Sequence, residues 1–413
     1  MATEYPVFTK AMKETHTILL PNMLPMHERL MARVFGLYGY KTELLTNSGK
    51  SVVNAGQKYV HNDTCYPALL IVGQFIDALS SGKYDLDRTA VLITQTGGGC
   101  RASNYIFLLR KALEKAGFGQ VPVVSFNISG LEKDSGFRIT PAILHRLAYA
   151  VLYGDLLMLL RNQVRPYENN KGDADRLCDE WVDRLTESLG VKRVRYSEVK
   201  KNYSLIVKSF AEIPRSRERK TRVGIVGEIF VKYSPLGNND LENFLISEGA
   251  EPVVPGLLDF CMYCVYNGII DTRLYGISRL KGLLSRPVMS FLLKKQRDLI
   301  DAIKAQGDFD PPTSFAHTCT LGEEFVGRGT KMGEGWLLTA EMIELGEQGV
   351  KNIVCAQPFG CLPNHIVGKG VMKPIKAAHP DMNIVAVDYD PGATRINQEN
   401  RIKLMLANAN RGQ

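Results

Sequence analysis

The stretch Ala90-Val-Leu-Ile-Thr-Gln-Thr-Gly-Gly-Gly-Cys-Arg-Ala-Ser-Asn104 carries the plan of the whole chain. Ala90–Thr94 is a short apolar run of the kind that forms a buried parallel strand. Three glycines then break it, a cysteine follows, and from Tyr105 to Ala116 the apolar positions fall at helical spacing. Strand, glycine turn and helix in that order are half of a βαβ unit.

The same alternation extends outward. Thr17–Pro21, Thr42–Thr46 and Val121–Phe126 read as strands, and Pro67–Leu79, after Cys65, as a helix. Residues 1–170 are therefore predicted to form an α/β domain whose parallel sheet is covered on both faces. Thr140–Tyr167, Asp173–Leu189 and Tyr196–Ile213 are helical without strands, and Pro214–Thr221, full of Arg and Ser, reads as a linker. Residues 171–221 are thus expected to be a basic helical connector. A second α/β series fills 222–413. Its strands are Arg222–Val231, Pro252–Val254, Asn352–Ala356 and Asn383–Val387; its helices include Asp240–Glu248, Pro287–Ala305, Gly335–Leu345 and Thr394–Ala407.

At 413 residues the chain has room for two or three domains, and 45% hydrophobic with 23% charged residues is a globular composition. No basic-then-apolar leader is evident, so a cytoplasmic location is expected. The most apolar segment, Leu147–Leu160, is short for a span and contains Asp155. The net charge is +8, and Val191–Arg222 alone holds eleven Lys/Arg against three Glu. Without interleaved aromatics that stretch is not a nucleic-acid platform. It reads as a solvated helical surface, or as a dock for an acidic partner or a CoA phosphate. Neither nucleic acid nor a membrane is expected as a partner.

Eight cysteines are many for a chain in a reducing compartment, where metal ligation, redox chemistry or burial replaces disulfide formation. Three share one context. Cys65 lies in His61-Asn-Asp-Thr-Cys-Tyr-Pro67, Cys100 ends Gln95-Thr-Gly-Gly-Gly-Cys100, and Cys361 ends Gln357-Pro-Phe-Gly-Cys361. Each precedes a helix, and the last two follow a strand and a glycine turn. Carboxyl ends of parallel strands form the ligand crevice of open α/β sheets, and a helix N-terminus offers free N–H groups to an anion. Both favour a thiolate or an anionic cluster. A lone cysteine at a strand end is ordinarily a small buried hydrophobe; three in matching context shift the balance towards ligation.

The remaining residues are less specific. Cys261 and Cys264 form a Cys-x-x-Cys pair that suits redox chemistry, metal or core equally. Cys319 and Cys355 are as readily structural as ligating, and Cys178, mid-helix, is structural. Gly97–Gly99 could cradle a phosphate, but neither it nor Gly327–Gly335 ends in the lysine of a phosphate loop, so no ATP or NAD site is expected. Glu228 and Glu334 are either cleft acids or helix-start residues. His61, His317 and His365 lie near cysteines, where a satisfied loop histidine is the commoner case.

Thr96-Gly-Gly-Gly-Cys-Arg-Ala-Ser-Asn104, Gly224-Ile-Val-Gly-Glu-Ile-Phe230, Gln357-Pro-Phe-Gly-Cys-Leu-Pro-Asn-His365 and Asp388-Tyr-Asp-Pro-Gly-Ala-Thr394 together resemble the 2-hydroxyacyl-CoA dehydratase superfamily. Within it, the chain is most similar to the activase-related or double-cubane-cluster branch. The resemblance implies two flavodoxin-like, doubly wound domains holding an iron–sulfur cluster in the interdomain cleft, either [4Fe–4S] or a bridged double cubane, [8Fe–9S]. Cys65, Cys100 and Cys361 match the family's three ligands in context; Cys264, Cys319 and Cys355 would supply the further thiolates of a double cubane. Gly97, Gly98 and Gly99 would approach the cluster, and Arg101, Asn104 and Tyr105 would line the cleft and orient a substrate.

The implied partner is an ATP-hydrolysing iron–sulfur activase, with the chain itself in a homodimer or heterodimer. Two functions follow from the resemblance. In one, the protein accepts low-potential electrons and reduces or dehydrates a small substrate. In the other, it is a non-catalytic relay or scaffold. A polar, accessible cleft would favour the first, a sealed apolar one the second. A structural zinc site is disfavoured by the absence of close Cys/His quartets.

Overall fold

Eight strands in two separate sheets organise the computed structural model, which describes residues 5–61, 63–94, 99–126, 136–191, 193–277 and 279–411. β1 (Thr17–Leu20), β2 (Lys41–Leu44), β3 (Thr89–Thr94) and β4 (Val123–Phe126) form the first, in the order β2-β1-β3-β4. β5 (Thr221–Gly227), β6 (Ala250–Val253), β7 (Asn352–Pro358) and β8 (Asn383–Tyr389) form the second, in the order β6-β5-β7-β8. Every pairing is parallel. The two orders are one topology used twice: the chain leaves the first strand towards one edge, then crosses back to the other side. That reversal lies between β1 and β3 in one sheet and between β5 and β7 in the other, where open sheets hold their ligands.

The long helices are α1 (Pro25–Leu37), α2 (Lys50–Tyr59), α3 (Tyr66–Ser80), α4 (Tyr105–Lys115), α5 (Pro141–Val164), α6 (Asp173–Gly190), α7 (Tyr196–Ala211), α8 (Leu257–Tyr275), α9 (Arg279–Gln306), α10 (Trp336–Glu347) and α11 (Arg395–Arg411). α3 and α10 are buried along most of their length, as expected of crossover helices between sheet and neighbouring helices. α5 is the one helix among the described residues long and apolar enough to cross a membrane, and 67% of that stretch is buried inside the protein. Its Asp155 binds His27 Nε2 at 2.8 Å and accepts the N–H groups of Leu257 and Leu258, each at 2.8 Å. A residue of the first half thereby caps the first turn of α8 in the second.

Three expectations change. The strand expected over Arg222–Val231 stops at Gly227. A Cβ there would lie 2.3 Å from the Ala356 carbonyl oxygen, and Glu228 turns the chain by accepting the Val231 N–H at 2.9 Å, capping a short helix, Ile229–Tyr233. Cys261 and Cys264 lie on a full helix, α8, which apolar periodicity had not marked. The helix expected to start at Pro287 begins at Arg279, with Pro287 inside it. The basic stretch Val191–Arg222 is largely α7 and its flanks, and α7 packs on α5 and α9. Several of its cations have local carboxylate partners, among them Lys208 with Glu212 and Arg222 with Glu251.

Candidate cysteine site between the sheets

Four loops meet where the carboxyl ends of the two sheets face each other. Cys65 is the residue before α3, whose N-terminal turn is set by Pro67. Cys100 precedes a single turn, Arg101–Asn104, that leads into α4. Cys361 follows β7 and precedes the short helix Leu362–Val367. The fourth loop, 330–335, brings Glu334 to the end of β5. The halves are joined here through the main chain itself, because Tyr66 N–H donates to the Phe359 carbonyl oxygen at 2.9 Å. Gly360, at φ +70°, passes so near that a Cβ would lie 3.1 Å from Cys65 Cα. Only glycine meets both conditions without strain.

The ionisable groups of these loops act on one another. Burial, with Glu228 and Cys100 adding to it, raises the Cys65 thiol to about 11, against the opposing hydrogen bond of Tyr105, whose Oη lies 3.3 Å from Sγ. Burial also raises Cys100, with Glu334 and Glu228 adding to it. Cys361 is raised by burial, then by the same two carboxylates and by Cys65. Glu228 is buried and carried up to about 8, with Glu334 as its largest charged neighbour. Glu334 is raised by burial while its Oε1 accepts the Ile229 N–H at 2.9 Å. Its Oε2 is buried without a hydrogen-bond partner among the described residues. The cation that reaches both acids, Lys232, is itself buried against Glu341 at 3.0 Å.

The site therefore gathers three thiols and two carboxylates with little compensating positive charge. Burial favours the protonated form of each of these groups. A metal core fits that deficit, since it would displace the thiol protons and supply the missing charge. Among the described residues no three His, Cys, Asp or Glu side chains close to the spacing of a single metal ion. An iron–sulfur cluster makes a different demand: its thiolates sit on separate irons and stand further apart.

Of the other residues singled out in the sequence, Cys264 joins this set, within electrostatic reach of Glu334. Cys319 does not: its charged neighbours are Arg328 and Asp259, and its carbonyl oxygen accepts from Arg328. Cys355 lies fully buried in β7, its thiol 3.6 Å from Asn364 Oδ1. Cys178 is buried in α6. Tyr105 is a buried part of the site, whereas Arg101 and Asn104 are exposed beside it. Gly97 and Gly98 lie outside the described residues. Gly99 is described, and a Cβ on it would lie 2.8 Å from Met332 Sδ, so the 330–335 loop packs against Gly99. His317 pairs with Glu347 at 2.7 Å, and the His365 ring lies 2.8 Å from the Cys361 carbonyl oxygen.

Sequence reasoning missed Tyr263 and the Lys232–Glu341 pair. Tyr263 is buried beside Cys100, Cys264 and Glu334. Its one sequence cue is its place between the two cysteines of Cys261-Met-Tyr-Cys264. No protein-family model matches the chain, and no curated protein matches it in sequence.

Proposed function

We propose that this protein is an iron–sulfur protein related to the 2-hydroxyacyl-CoA dehydratases, in their activase-related or double-cubane branch. It accepts low-potential electrons from a separate ATP-hydrolysing partner and reduces or dehydrates a small substrate. The observation that carries this reading is the convergence of Cys65, Cys100 and Cys361, from both halves of the chain, around the buried Glu228, with Glu334 beside Cys100 and Cys361. The duplicated strand order supports a pair of flavodoxin-like domains, with the site at both switch points.

In this reading Cys65, Cys100 and Cys361 hold the cluster, and Cys264 is the nearest further thiol. The separate surroundings of Cys319 and Cys355 favour a single [4Fe–4S] cluster over a double cubane. When bound, the cluster supplies one-electron reducing power and an iron Lewis acid. The chain's own groups supply the rest. Burial favours the protonated forms of Glu228 and Glu334, and Tyr105 Oη donates to Cys65 Sγ. Arg101 and Asn104, at the exposed edge, are the groups available to a substrate entering from solvent.

The burial of Cys65 and Cys361 favours a second reading, in which the protein relays electrons without binding substrate. Iron and sulfide counting on anaerobically purified protein, with EPR of the reduced form, tests the central claim. A brown protein with about four irons per chain is expected. A colourless, iron-free preparation under strict anaerobiosis overturns it.

A further inference from the structure

The end of the α8–α9 hairpin is unlike any other part of the described surface. Leu274 and Tyr275 close α8, Ile277 lies in the turn, and Leu280, Leu283 and Leu284 occupy the first turns of α9. These six side chains are 50 to 68% exposed. Isolated exposed leucines are normal, but six within eleven residues, on both helices and the turn between them, make an apolar tip. The hairpin is a defined structure rather than a frayed end: α8 and α9 pack along each other, and Thr272 Oγ1 donates to the Ile277 carbonyl oxygen at 3.3 Å.

The charge of the same segment is one-sided. Between Asp271 and Asp298 the chain carries seven Lys/Arg (273, 279, 281, 286, 294, 295 and 297) and no Asp or Glu. Arg273 and Arg286 are exposed beside the apolar tip. A second copy of this chain would bring the same cations against these, which argues against self-association here. Leu280, Leu283 and Leu284 share one stripe at the start of α9, and Leu274, Tyr275 and Ile277 add exposed apolar side chains on the end of α8 and the turn. Apolar side chains flanked by cations, with a tyrosine at the boundary, match the interfacial region of a bilayer with anionic headgroups.

We infer that the α8–α9 tip is a peripheral membrane contact that inserts its leucines into an anionic phospholipid surface. The contact is independent of a cluster and differs from a span: α5, the apolar helix, stays in the core. The short apolar segment around Leu147–Leu160, with Asp155 in it, predicts no membrane partner; the exposed tip argues for a surface contact instead.

Vesicle co-sedimentation of the full chain tests this, using phosphatidylcholine alone and with about 30% phosphatidylglycerol, a composition chosen for its negative surface. Binding to the anionic vesicles is expected to weaken about tenfold or more in the double variant Leu283→Glu, Leu284→Glu, and to weaken in 0.5 M salt. Both positions are exposed, so an unchanged thermal midpoint would show that the variant folds. A second variant, Arg273→Gln with Arg286→Gln, is expected to reduce anionic-vesicle binding while leaving the apolar tip intact. Absence of binding to anionic vesicles overturns the inference. So does equal binding by wild type and both variants, or a wild-type dimer that the leucine variant makes monomeric.

Discussion

Tyr105 Oη lies 3.3 Å from Cys65 Sγ, inside the buried wall between α3 and α4. A hydrogen bond to a thiolate stabilises its charge, and on a cluster ligand it raises the reduction potential. Tyr105→Phe keeps the ring and removes the donor. With a net bond of about 1 kcal/mol, the one-electron potential should fall by roughly 40 mV. An EPR-monitored redox titration reads the shift, and an unchanged potential would place Tyr105 outside the ligand's influence.

Serine at Cys65, Cys100 or Cys361 should each lower bound iron, because each thiol belongs to the shared set. Serine at Cys178, Cys319 or Cys355 should leave iron content unchanged, since their neighbours lie elsewhere. Iron assays on anaerobically purified variants decide the matter. Full iron in two of the first three would show that the ligands are other residues.

Lys232 and Glu341 form an ion pair with both side chains almost wholly buried. Lys232→Met alone leaves an unpaired buried carboxylate and should cost about 3–5 kcal/mol. Adding Glu341→Leu should recover most of that loss. Denaturant unfolding of the two single variants and the double variant closes the cycle; strict additivity would mean that the pair is not coupled.

Lys295 is buried over the Tyr196 ring, with Phe291 at 5.0 Å and Tyr149 at 5.9 Å. Burial first, then Lys294, lowers it from 10.5 to about 8. Between these values the unfolded chain binds the extra proton, so this group's contribution to stability rises as pH climbs from 8 to 10.5. Its cost is fully present below pH 8. Lys295→Met should therefore raise the thermal midpoint at pH 7, with the gain shrinking at pH 9. Calorimetry at the two pH values tests this, and a gain that grows with pH would reverse the sign.

Much of the plan was legible because it is written in local grammar. An apolar run, a glycine turn and a helix predict a strand's carboxyl end wherever they occur, and Cys100 and Cys361 inherit their positions from it. Cys65 follows from the helix that it precedes. What could not be read is which face an element turns inward. Cys264, Cys319 and Cys355 differ in surroundings because they lie on different elements, and no spacing distinguishes them. Lys232 and Glu341 are 109 residues apart, so their pairing depends on tertiary contact. Leu280, Leu283 and Leu284 have the spacing of a core stripe, and periodicity is the same whether that stripe faces protein or solvent.

The repeated strand order has a consequence for the chemistry of the site. In the first half, the residue before the crossover helix into β3 is the thiol Cys65; before the corresponding helix into β7 stand Glu334 and Gly335. Each half contributes two sulfurs and a phenol, Cys65, Cys100 and Tyr105 from the first and Cys361, Cys264 and Tyr263 from the second, but both carboxylates come from the second. One scaffold used twice has thus diverged into a wall without carboxylates and a wall with two. A guest between them finds its two sides unequal, and its orientation follows from donor type before any shape-specific contact is made.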